Sequence, residues 1–215
     1  MEYFSLDIAS CLVEIICPEY PDGSMVALLR SLCLVSSTFR ELCQRKLFSH
    51  LDVNRKPTVE GTNNTCTLLP GTKLLSLLDQ NKRIATYVRS LKISNDSDSV
   101  PWLSIDEHLP VALYRIVEYQ RIQKLSLCKI SAECAGLSIR HTVASLCGCP
   151  SLRFLKFRSC PLSLIENFAE SLTHLDADPS EVLFENPVPP TFDIDAPKTT
   201  ARTGRAKITH LKIEQ

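Results

Sequence analysis

The chain has 215 residues, 24 basic against 24 acidic side chains, 44% apolar residues, 13 prolines and 10 cysteines. Those totals predict a globular protein of one domain, or a small domain joined to a larger one, and exclude a disordered tail, a collagen-like fibre and a supercharged chain. With charges balanced and no stripe of Lys and Arg interleaved with aromatics, nothing points to a nucleic-acid partner.

A membrane-spanning helix needs roughly 18–20 apolar residues, and the best run, Ser24 to Ser36, is too short and is broken by Arg30. Met1-Glu2 opens the chain and Asp7 and Glu14 follow, without the basic n-region and small-residue cleavage site of a secretory signal. The expected location is the cytosol or nucleus, with no membrane partner. In that reducing setting the cysteines read as free thiols that pack as small hydrophobes.

Residues 1–47 carry three short helical patterns. Ile8, Leu12, Ile15 and Ile16 form one apolar stripe, Val26, Leu29 and Cys33 a second, and Val35, Phe39, Leu42 and Cys43 a third. Pro18, Pro21 and Gly23 break the chain between the first two. Helices of this size bury little surface alone, so they must pack on one another, on the next unit or on a partner.

From residue 48 to 215 a different pattern returns six times: apolar, two variable residues, Leu, one variable residue, apolar. It begins at Phe48, Val88, Ile122, Leu152, Leu172 and Ile208, and centres on Leu51, Leu91, Leu125, Leu155, Leu175 and Leu211. Residues two apart in a strand share a face, so each central Leu and the apolar residue two positions later point toward one core. Between these segments Leu74, Leu77 and Leu78, then Leu113, Ile116 and Val117, then Ile139, Val143 and Leu146, then Leu164, Ile165 and Phe168 fall at helical spacing. Pro110 suits a first helical turn, and Ser163 with Glu166 reads as a capping box. Strands joined by crossovers of this length run parallel.

One segment, Leu152-x-x-Leu155-x-Phe157-x-x-Cys160-x-Leu162, resembles a leucine-rich repeat over its full motif, while the others match its first half and vary in length. The resemblance is to the irregular class of that repeat; an ordinary α/β domain with Leu-rich strands is the alternative. Pro179, Pro187, Pro189, Pro190 and Pro197 interrupt the pattern, which predicts a Pro-rich loop over 179–205. The chain stops at Gln215 without a polar capping unit, so a fragment or a truncated gene model is expected.

Phe4-Ser-Leu-Asp-Ile8, Leu32-Cys-Leu-Val-Ser-Ser-Thr-Phe-Arg40 and Leu42-Cys-Gln-Arg-Lys-Leu-Phe-Ser49 together resemble the F-box-like module that precedes leucine-rich repeats in fungal proteins of mushroom type. In the first piece the family's Leu-Pro falls on Phe4-Ser5. The resemblance implies an α/β protein: an F-box-like three-helix module over 1–47, then an irregular leucine-rich-repeat solenoid with a parallel sheet over 48–215. It further implies a non-enzymatic substrate receptor of a Skp/cullin/F-box ubiquitin ligase, whose helices bind a Skp-type adaptor protein and whose repeat surface binds an unnamed target. By motif position Phe4, Leu6, Ile8, Val35 and Phe39 would make the adaptor contact. A repeat scaffold that has lost adaptor binding stays open because of Ser5, and a thiol hydrolase is a third reading.

Other chemistry lacks a pattern. Cys128, Cys134, Cys147, Cys149 and Cys160 crowd together but include no C-x-x-C pair, so no metal is expected. His50, His108, His141, His174 and His210 sit in no local catalytic signature, and no phosphate-binding Gly-rich loop occurs. No catalytic residue and no cofactor are predicted. Asp96 and Asp98 lack the remaining ligands of a calcium loop and read as a polar turn.

Overall fold

The computed structural model describes residues 6–16, 23–54, 69–95, 102–130, 136–160 and 168–177, and the backbone of 210–213. Three helices come first: α1 (Leu6–Ile16), α2 (Gly23–Leu32) and α3 (Ser37–Leu47). Strands and helices then alternate as β1 (His50–Asn54), α4 (Pro70–Gln80), α5 (Arg83–Tyr87), β2 (Ser90–Ser94), α6 (Trp102–Ile105), α7 (His108–Val117), β3 (Lys124–Cys128), α8 (Leu137–Cys147), β4 (Phe154–Arg158), β5 (His174–Ala177) and β6 (His210–Ile213). The short helices α5 and α6 add to the sequence expectation. The capping box at Ser163, the helix residues Leu164 and Ile165, the Pro-rich segment 179–205 and the Asp96–Asp98 turn lie outside the described residues.

All strand pairs are parallel, and the sheet order is β1-β2-β3-β4-β5-β6. Leu51, Leu91, Leu125, Leu155, Leu175 and Leu211 are Cα partners along one row, the register the repeated pattern calls for. The row two residues on is Val53, Ile93, Leu127, Phe157, Ala177 and Ile213. Parallel strands whose inward faces are covered by helices bury side chains of both rows: Leu91, Leu125, Leu127 and Leu155 are almost wholly enclosed, while Leu51, Leu175 and Ala177 are partly buried. Helix side chains Leu74, Leu78, Leu109, Leu113, Ile116, Ile139, Val143 and Leu146 close the same core.

Strand ends repeat as well. The Ser49 carbonyl accepts from the amides of Arg89 and Ser90, that of Arg89 from Gln123 and Lys124, that of Gln123 from Arg153 and Phe154, and that of Arg153 from Thr173 and His174. Each rung thus hands its leading carbonyl to the next. At the other end Lys129 and Ser159 both adopt positive φ, at 55° and 51°, directly after β3 and β4. The residues that follow, Ile130 and Cys160, are buried in the main core.

Pro70 opens α4 at a position whose amide needs no partner. Next to it Gly71 packs against α7 so closely that any Cβ would collide with the Leu109 backbone. The Asp106 carboxylate, buried before α7, accepts from the Gly71 amide at 2.6 Å and the Leu109 amide at 3.2 Å. Arg115 on α7 also pairs with Asp79 on α4. One carboxylate therefore caps one helix and ties it to another.

The helical module has its own small core of Val13, Leu29 and Cys43, flanked by Leu32, Cys33, Phe39, Leu42 and Leu47. Ser36 starts α3 by accepting from the Phe39 amide at 3.2 Å. One expectation is corrected here. The predicted α1 stripe faces outward at Ile8, Leu12 and Ile15, while Ala9 and Val13 are buried. Since α1 is apolar around most of its circumference, periodicity does not select the inner face. Val35, placed by spacing on the third helix, lies in the turn before it.

Candidate protein-interaction surfaces

Of the five residues singled out for partner contact, Phe4 lies outside the described residues. Leu6, Ile8 and Val35 are 61%, 52% and 67% exposed. Leu6 and Ile8 stand on α1 and Val35 in the α2–α3 turn, all within the three-helix module. Phe39 behaves differently: it is half-buried and packs against the module's core. Sequence reasoning did not mark Leu12, Ile15, Leu28 and Leu34, which are also exposed on this module. The module thus exposes seven large apolar side chains among its described residues: Leu6, Ile8, Leu12, Ile15, Leu28, Leu34 and Val35.

A part-buried cluster of contacts joins α3 of the module to α5. The Tyr87 hydroxyl at the end of α5 donates to the Glu41 carboxylate on α3 at 2.7 Å, and Arg83 lies 3.7 Å from the same carboxylate. Arg45 pairs with Glu41 at 3.2 Å and its guanidinium sits 5.9 Å from the Tyr87 ring centre. The Tyr87 hydrogen bond holds the Glu41 carboxyl below the ordinary glutamate range; Arg45 and Arg83 add to this, and partial burial opposes it. Burial, then the bond to Glu41, raises Tyr87 above the ordinary tyrosine value.

Tyr87→Phe should therefore lower stability by about 1.5–3 kcal/mol, the worth of a hydrogen bond to a charged acceptor, measured as a shift in urea midpoint. Glu41 is depressed on folding, so its contribution is full above the unfolded value and fades as pH falls through the folded one. The Tyr87→Phe penalty should accordingly shrink as the pH drops below 4.5. A penalty unchanged down to pH 3 would mean that the carboxylate charge does not hold this joint.

On the open face of the sheet, charged partners sit on neighbouring strands: Asp52 with Lys92 at 3.2 Å and Lys156 with Asp176 at 2.7 Å. Phe154 stacks on His174 with ring centres 5.3 Å apart. These residues occupy the variable positions of the repeated pattern, and Asp52, Lys92, Phe154 and Lys156 border a hollow of about 450 Å³.

Burial, with Cys160 adjacent, pushes the Cys147 thiol up to about 12, opposite to the shift that activates a nucleophile. The described cysteines are free thiols. Among the described residues no three His, Cys, Asp or Glu side chains gather closely enough to hold a metal ion, and no helix is long and apolar enough to cross a membrane. The chain matches no protein-family model, no curated protein and no solved structure.

Proposed function

We propose that this chain is a non-enzymatic substrate receptor of a Skp/cullin/F-box ubiquitin ligase in the cytosol or nucleus, with its helical module as the F-box-like unit and its strand–helix array as an irregular leucine-rich-repeat solenoid. The observation that carries this reading is the exposure of Leu6, Ile8 and Val35, at positions where the resemblance places the adaptor. Fully burying one such side chain is worth about 1.5–3 kcal/mol, so a few of them anchor an interface. Phe39 serves instead to hold the module together. The repeat surface would then present the target, through variable strand positions such as Lys92, Phe154 and His174.

The test is co-purification of the whole chain with a Skp-type adaptor, beside Val35→Asp. Val35 is exposed in a turn, so the substitution spares the module core while placing a charge in the contact. Capture by the native chain and at least tenfold weaker capture by Val35→Asp are expected. Equal capture by both would remove Val35 from the interface. No capture by the folded native chain would leave a repeat scaffold without adaptor binding, the reading Ser5 favours.

A further inference from the structure

Between the helical module and the leading ends of β1, β2 and β3 lies a cleft of about 770 Å³. Six cationic side chains line it: Arg45 and Lys46 from α3, Arg83 from α5, Arg89 before β2, Arg121 before β3 and Lys124 at its start. The carboxylates in the lining are Glu14 and Glu41. In a chain whose total charge is zero, this is a strong local concentration of one sign.

Most of these cations are already held in place. Lys46 pairs with Glu14 at 3.1 Å, and Arg45 and Arg83 share Glu41. Arg89 donates from Nη1 to the carbonyls of Thr86 and Val88 at 2.9 and 3.2 Å, which fixes its guanidinium at the cleft wall. Arg121 is exposed and has no ion-pair partner among the described residues. Burial lowers Arg89 below the ordinary arginine value, and repulsion from Arg121 and Arg45 adds to the shift. Crowded cations that are fixed before binding recover little entropy by staying empty, and an anion entering among them removes their mutual repulsion.

We infer that this cleft binds an anionic segment of a partner protein, one carrying several phosphate or carboxylate groups. The cations are spread over two helices and two strand ends, which suits a run of anionic groups better than a single ion. The volume lies within the range of about 300–1,000 Å³ typical of ligand clefts. Single-stranded nucleic acid is the weaker fit because its binding sites use aromatic faces for base stacking. Here the lining holds no Phe or Trp, and Tyr87 is buried with its hydroxyl on Glu41. The inference stands apart from the proposed adaptor contact, since Leu6, Ile8 and Val35 do not line the cleft.

The experiment is fluorescence anisotropy of the whole chain, without adaptor, against three labelled peptide pools with degenerate flanks: a central pair of phosphoserines, the same pool unmodified, and a glutamate-rich pool. The phosphoserine pool should bind at least tenfold tighter than the unmodified one and weaken steeply with added salt. Arg121→Glu with Lys124→Glu should lower that affinity at least tenfold, and Arg121→Lys should keep most of it. Arg121→Glu alone, at an exposed site, serves if the double variant does not fold. Binding of the glutamate-rich pool at the level of the phosphoserine pool supports the cleft as a general anion reader. Equal, weak binding of all three pools, affinity unmoved by charge reversal, or preferential displacement by a single-stranded oligonucleotide would each overturn the inference. The charge-reversed chain should still capture the adaptor, so failure here and failure of the receptor reading are separable.

Discussion

Leu125→Ala should lower stability by about 3–5 kcal/mol, the upper part of the range for emptying a close-packed Leu site. Leu125 is 1% exposed and sits in register between Leu91 and Leu155. Rows of leucine flank it on both sides and helix side chains cover it, so the surrounding structure has little freedom to collapse into the gap. The loss is a large fraction of the roughly 5–15 kcal/mol that holds an ordinary domain folded. Leu125→Met, which nearly conserves volume, should cost under about 1.5 kcal/mol. Leu175→Ala, at a half-buried position on β5, should cost less than Leu125→Ala. Chemical denaturation of the three variants measures the gradient. Equal small losses at Leu125 and Leu175 would mean that the central row is not the packed interior.

Gly71→Ala should destabilise by about 3 kcal/mol or more, a large effect for one methyl group. The added Cβ meets the Leu109 backbone rather than a movable side chain, so α4 and α7 must separate, and overpacking of this kind costs about 1–3 kcal/mol. Separation also breaks the bond from the Gly71 amide to Asp106, and a hydrogen bond to a charged group is worth about 1.5–3 kcal/mol. Asp106→Ala should act through the same joint, leaving the Gly71 amide without its acceptor at about 1–3 kcal/mol, while the Leu109 amide keeps the Asp106 backbone carbonyl at 3.2 Å. Asp106→Asn keeps one acceptor oxygen and should fall between. Because Gly71 and Asp106 share one contact, the double variant Gly71→Ala with Asp106→Ala should lose clearly less than the sum of the single losses. Strict additivity, measured in a denaturation cycle, would show that the two residues act independently.

What could be read from the sequence follows physical range. The leucine register was legible because a strand repeats every two residues and a parallel array places the same repeat side by side. The helices around Leu74, Leu113 and Ile139 were legible because apolar residues three and four apart define a face without knowledge of neighbours. The bond between Gly71 and Asp106 was not, since it joins residues 35 apart in sequence and neither residue type announces it. The outward turn of Ile8, Leu12 and Ile15 was hidden for another reason: a helix apolar on most sides leaves the choice of buried face to its packing partner. As for the candidate sites, motif position pointed to the exposed Leu6, Ile8 and Val35, while the cationic cleft escaped notice because its residues come from α3, α5 and two strand ends that only the fold assembles.

The consecutive strand order has a consequence for how such a chain tolerates change in length. Each of β2 to β5 finds its hydrogen-bond partners in the preceding and following strands, and the ladder of shared carbonyls from Ser49 to Arg153 is set at the strand ends rather than in the connections. Residues inserted between rungs lengthen a loop, at a cost that grows only slowly with its size. A single deletion inside a segment such as Leu125-Ser-Leu127 has the opposite outcome, turning every later side chain of that strand to the wrong face. Insertions are thus accommodated between rungs and deletions are punished within them.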